Sequence, residues 1–157
     1  MKRLALLLLT CLALPVVSLA AELTPFEQVR RQNQNYPDTS RVTYLFNRCA
    51  ALQLNVAALL ERKGQKQGAK DYENLAQHYM VLSEVNEREI DKKFGLKSKD
   101  TVKTINRNVS HLSELYTQRM NANVAKRGDY IMGDAQLESE LKECSLPEEF
   151  KKKASVN

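Results

Sequence analysis

Past residue 20, apolar side chains recur every three or four positions, the period that puts them on one face of a helix. Val42, Leu45, Cys49, Leu52, Val56, Leu59 and Leu60 mark a helix over 41–63. Ala50, Ala51, Ala57 and Ala58 add helix propensity and a thin packing surface, so this segment is the predicted central helix. Tyr72, Leu75, Tyr79 and Leu82 form a stripe over 69–94, continued less regularly by Val85, Ile90 and Phe94. Val102, Ile105, Val109, Leu112, Tyr116, Met120 and Val124 do the same over 98–127. Leu137, Leu141 and Cys144 line a short last helix after Gly133-Asp134.

The ends of these segments carry matching signals. Thr24 is the predicted cap of a short, polar first helix reaching Asn35, with Pro25 at its first position and Glu27 completing a capping box. Residues 36–40 (Tyr-Pro-Asp-Thr-Ser) read as a turn. Gly64, Gly95 and Gly128 follow the three long helices, and Ser98 is the expected cap of the fourth. No β pattern, internal repeat or low-complexity stretch interrupts this order. The expected fold is all-α: an antiparallel bundle of three long helices plus short N- and C-terminal helices.

Residues 1–20 follow a different rule. Lys2 and Arg3 precede an apolar run from Leu4 to Val17, and Ser18-Leu19-Ala20 puts small residues at the −3 and −1 positions of a cut after Ala20. This is the layout of a secretory signal peptide, and the apolar run is shorter than a bilayer span needs. Thr10 before Cys11 does not suit lipid attachment. The predicted organisation is a signal peptide over 1–20, one helical domain over 21–150 and a tail over 151–157. The expected location is the periplasm or the medium.

Export changes the charge and the cysteine arithmetic. The 157 residues hold 24 Lys+Arg and 19 Asp+Glu, a net charge of +5. Without Lys2 and Arg3 the balance is 22 basic against 19 acidic residues, or +3, so part of the basic bias is targeting sequence. Two of three cysteines remain, Cys49 and Cys144, and both fall on apolar helix faces. In an oxidising compartment this predicts a Cys49–Cys144 disulfide.

The motifs of catalysis are missing. No Gly-x-Ser-x-Gly elbow, phosphate loop, Cys-x-x-Cys or Glu-x-x-His is present. His111 and Glu114 share a helix face, but one such pair is a weak metal signal, and His78 is expected to border the core. Glu84/Arg88 and Glu87/Asp91 read as a solvated helix face. Asn108-Val109-Ser110 is a glycosylation sequon in the middle of a predicted helix, a poor position for one. No enzyme role, cofactor or metal is therefore expected. The uneven charge is the remaining candidate chemistry. Lys92, Lys93, Lys97, Lys99, Lys103 and Arg107 surround one helix turn against a single acid, Asp100, while Asp134, Glu138, Glu140, Glu143, Glu148 and Glu149 make the last segment acidic. The basic end suits an anionic partner, and the competing reading is a solvated charge run that serves solubility, together with attraction to the protein's own acidic segment. The expected function is a non-catalytic binding, accessory or inhibitor-type protein acting on another protein or an envelope component. The alternatives are a metal- or small-ligand-binding bundle and a membrane-surface protein using the basic end. Nucleic acid is not an expected partner, because export separates the two and aromatics do not interleave with the lysines.

Overall fold

The computed structural model describes residues 23–35, 38–95 and 100–145. The predicted signal peptide, the tail, Lys97, Lys99 and Ser98 lie outside these. The described residues form five helices and no strand: α1 (Phe26–Asn35), α2 (Thr39–Arg62), α3 (Lys66–Phe94), α4 (Thr101–Arg127) and α5 (Ala135–Glu143). The all-α bundle expected from the periodicity is the observed architecture.

α2 is the centre. Every residue from Asn47 to Ala57 is buried except half-buried Leu54, so this helix is covered on all sides. It begins two residues before the expected start. Asp38 is extended and its carboxylate accepts from Ser40 N at 2.9 Å, which converts part of the predicted turn into a cap.

α3 packs most extensively against α2. Its buried Ala69, Ala76 and Ser83 are seven residues apart and let the backbones approach. The register is pinned by polar contacts. Ser83 Oγ donates to Asn47 Oδ1 at 2.6 Å, and Asn86 Nδ2 donates to Thr39 O at 2.9 Å and Thr43 Oγ1 at 2.8 Å. The low-numbered end of α2 thus meets the high-numbered part of α3, an antiparallel pair. Gly68 falls within the first turn of α3, where Leu60 lies against it, and the helix starts three residues earlier than expected. Gly95 ends α3 at φ 64° and Gly128 ends α4 at φ 78°, backbone conformations that glycine adopts without strain.

α4 covers another side of α2. Asn55 Nδ2 donates to Ser113 O at 3.1 Å, and Thr117 Oγ1 donates to Asn55 Oδ1 at 2.7 Å. Its buried stripe is Ile105, Val109, Leu112, Tyr116 and Met120, as the periodicity implies. α5 folds back along α4. Asp134 caps it through Gln136 N and Leu137 N and is itself held by Arg119 at 2.8 and 2.9 Å. Burial opposes ionisation of Asp134, but Arg119 and the cap outweigh it and lower its pKa.

Two details at the first helix differ from expectation. The Pro25 carbonyl, not Thr24, takes the first helical hydrogen bonds, from Gln28 N and Val29 N. Glu27 pairs with Arg30 and Arg31 at 2.7 and 2.8 Å, and these lower its pKa to about 2.

Candidate functional site

The predicted disulfide is present: Cys49 and Cys144 are bonded, with Cα atoms 5.2 Å apart, and both are buried. It ties α5 to the middle of α2. The Cys144 carbonyl accepts from Gln53 Nε2 at 2.9 Å and from Tyr79 Oη at 3.1 Å, so α2 and α3 both hold the end of α5.

Beside the disulfide lies a charged cluster that the periodicity does not announce. Arg48 and Glu140 side chains are 0% and 1% exposed and pair at 2.5 Å. Arg48 Nε also donates to Tyr116 Oη at 3.1 Å, and its Nη1 donates to the Thr24 carbonyl. Tyr116 Oη in turn donates to Glu140 Oε2. Gln136 Nε2 donates to Glu140 Oε1 at 2.8 Å and Leu23 O at 3.1 Å. The guanidinium lies over the rings of Phe26, Tyr44 and Tyr116 at 5.6, 5.7 and 5.9 Å. Burial opposes the charge on Arg48, but Tyr116 and Glu140 outweigh it and raise its pKa. Burial, reinforced by the Glu140 carboxylate, pushes the Tyr116 hydroxyl well above its ordinary value. One Arg thus joins α2, α4, α5 and the segment before α1. The donors and acceptors of this cluster are matched and enclosed, which suits a structural role.

Three acids of the last segment are engaged inside the fold. Glu140 is taken by Arg48 and Asp134 by Arg119, and Glu138 Oε1 accepts from Gly133 N at 2.6 Å. No ion pair among the described residues joins α5 to the basic end. Glu148, Glu149, Lys97 and Lys99 lie outside the described residues.

The basic end is built by the last turns of α3 and the first turns of α4. Asn86 holds the first residue of α2, and α3 continues eight residues past it, roughly 12 Å at 1.5 Å per residue. On that overhang Ile90 and Phe94 continue the line of Tyr79, Ser83 and Asn86. Phe94 is 67% exposed although it lies on the core-facing stripe. Val102 likewise precedes Ile105 and Val109 on the buried stripe of α4 and is 51% exposed. Lys92, Lys93, Lys103 and Arg107 are exposed, with none in an ion pair among the described residues. Lys93 Nζ sits 5.7 Å over the Phe94 ring. The apolar residues at this end point to a reading the charge pattern alone lacks.

His78 and His111 are both exposed, on α3 and α4; His78 touches Tyr79 only edge-on, at 6.2 Å, and does not border the core as expected. No group of three or more His, Cys, Asp or Glu among the described residues could hold a metal ion. An open groove of about 420 Å³ runs between α2 and α4, lined by Leu54, Val109, Ser110, Ser113, Glu114 and Thr117. His111 and the basic end lie outside its lining. The Glu84–Arg88 pair is present on the solvated face of α3. No helix among the described residues is long and apolar enough to cross a membrane. No protein-family model, curated protein or solved structure matches the chain.

Proposed function

We propose that this is an exported, non-catalytic binding protein that presents the α3–α4 end of a pinned helical bundle to an anionic component of the cell envelope. One observation carries the reading. At this end the apolar stripes of both helices run out past their cover, and Phe94 and Val102 emerge among four cations that have no ion-pair partner among the described residues. Isolated apolar residues on a surface are ordinary, but core-line residues exposed beside uncompensated charge mark a contact surface. The rest of the molecule supports the display: the disulfide and the Arg48 cluster fix α5, α4 and α2 relative to one another. The export half of the reading rests on the signal-peptide pattern and on the cysteine pair, which suits an oxidising compartment.

The reading is tested by retention of the oxidised mature protein on an immobilised polyanion such as heparin. The variant K92Q/K93Q/K103Q/R107Q is compared with K66Q/K70Q/K126Q/R127Q, which removes the same charge elsewhere. The tip variant is expected to elute at clearly lower salt than the control variant. Equal elution would show that net charge alone is being measured, and the proposed surface would be abandoned.

A further inference from the structure

We infer that the α3–α4 end docks on an anionic lipid surface, with Phe94 entering the headgroup region and Lys92, Lys93, Lys103 and Arg107 meeting the phosphates. The inference rests on the binding reading above and names the partner class for the same surface.

Shape and chemistry favour lipid. The surface is an overhanging helix end, and the groove between α2 and α4 lies elsewhere. A protein partner would have to supply a pocket for Phe94 and a wide contact, because a stable interface buries about 800 Å² on each side. Two large exposed apolar side chains do not make the centre of such an interface. A bilayer interface needs less: a few apolar side chains to enter it and a cluster of basic residues attracted by its negative potential. Phe94 and Val102 supply the first, and the four cations around them supply the second. Over residues 87–107 the four acids, Glu87, Glu89, Asp91 and Asp100, face seven basic residues, so the local balance of the sequence stays positive.

The chain from Cys144 to Phe150 is too short to reach the site. Cys144 is fixed to Cys49, ten residues from Thr39 along α2, and Phe94 lies eight residues beyond Asn86. Along the bundle that separation is roughly 27 Å at 1.5 Å per residue. Phe150 is the only aromatic residue after Cys144 and stands six positions beyond it, a reach of about 20 Å at full extension. The residues far enough along to arrive begin with a run of lysines, which the cations would repel. On the export reading only Ala21 and Glu22 precede Leu23, whose carbonyl is held by Gln136 on α5.

The chain has no tryptophan, so Phe94→Trp places a single reporter at the site. Oxidised mature protein and this variant are mixed with vesicles of phosphatidylglycerol and phosphatidylcholine, or of phosphatidylcholine alone. Expected are binding to the anionic vesicles only, a blue shift of the introduced indole's emission, and a loss of affinity on the order of tenfold between about 50 and 300 mM salt. F94A is expected to weaken binding roughly fivefold or more at unchanged helical content. Retention on heparin with no vesicle binding would overturn the lipid assignment and leave the anion-binding surface standing. Loss of both would remove the surface itself. Vesicle binding without the blue shift, or undiminished in F94A, would also overturn the assignment, since Phe94 would not enter the interface.

Discussion

The middle of the bundle and its α3–α4 end invert each other. In the middle, a full charge pair is buried: Arg48, Tyr116 and Glu140 are enclosed, and the Arg48 donors meet a hydroxyl, a carboxylate and a carbonyl. At the end, apolar side chains are exposed and charges stand without ion-pair partners among the described residues. Each arrangement is costly where it sits unless something offsets it. The buried pair is offset by its own network, and a buried ion pair of this kind fixes which elements meet more reliably than it adds net stability. At the exposed end Lys93 lies over the Phe94 ring, but no ion pair among the described residues neutralises the four cations. On the proposed function, stability and binding are separated along the axis of one small molecule.

That separation makes ordered predictions. Reducing the disulfide, or C49S/C144S, should have the largest effect, because the bridge closes a loop with a sequence separation of 95 residues. The chain-entropy model gives about 4–5 kcal/mol, read as a drop in the urea midpoint. Arg48→Ala should cost about 3–5 kcal/mol by leaving Glu140 buried without its partner. R48M/E140L should recover most of that loss, because the uncompensated charge is gone. Full loss in the double variant would show that the pair itself, and not the penalty of breaking it, holds the bundle. Tyr116→Phe should cost about 1–3 kcal/mol, since it removes a buried hydroxyl that both accepts from Arg48 and donates to Glu140.

Asp134 gives a pH signature. Its folded pKa is lowered, so its stabilisation is present above the ordinary carboxylate value of 3.8 and is lost as pH falls through the lower folded value. D134N should therefore melt below wild type at neutral pH, with the gap closing in acid; a gap that does not narrow as pH falls would leave the cap hydrogen bonds, not the charge, as the cause. The smallest stability effect belongs to the other end: F94A and the four tip charge changes should shift stability within about 0.5 kcal/mol by thermal melting. A large loss there would erase the contrast between the two regions.

Much of the fold was readable from periodicity. The apolar stripes located α2 to α5, start signals around Pro25 located the polar α1, and the two cysteines on core faces foretold their bond. The helix starts were less legible, because they depend on which polar atom captures the first free N–H groups: Asp38 captures Ser40 N, and the Pro25 carbonyl replaces Thr24. The Arg48 cluster escaped because a lone charge is ordinarily solvated, and Glu140 reads as one more acid in an acidic segment. A signal existed: Arg48 adjoins Cys49 in the most apolar segment, flanked by alanines that bring neighbouring helices close. The basic residues at the α3–α4 end were visible in the sequence, whereas the exposure of Phe94 and Val102 was not. Their spacing assigns them to the core, and the length of α3 beyond the start of α2 brings Phe94 into solvent.

The signal-peptide reading has its own direct check, the intact mass of the exported protein: a chain starting at Ala21 and two hydrogens short of the reduced form is expected. The most direct test of the account is an amide NMR titration of oxidised mature protein with a soluble polyanion. Shifts are expected to concentrate in residues 87–107, at the end of α3 and the start of α4, with α5 and the α2–α4 groove unchanged. Perturbations centred on residues 109–118, or spread evenly over the bundle, would contradict it.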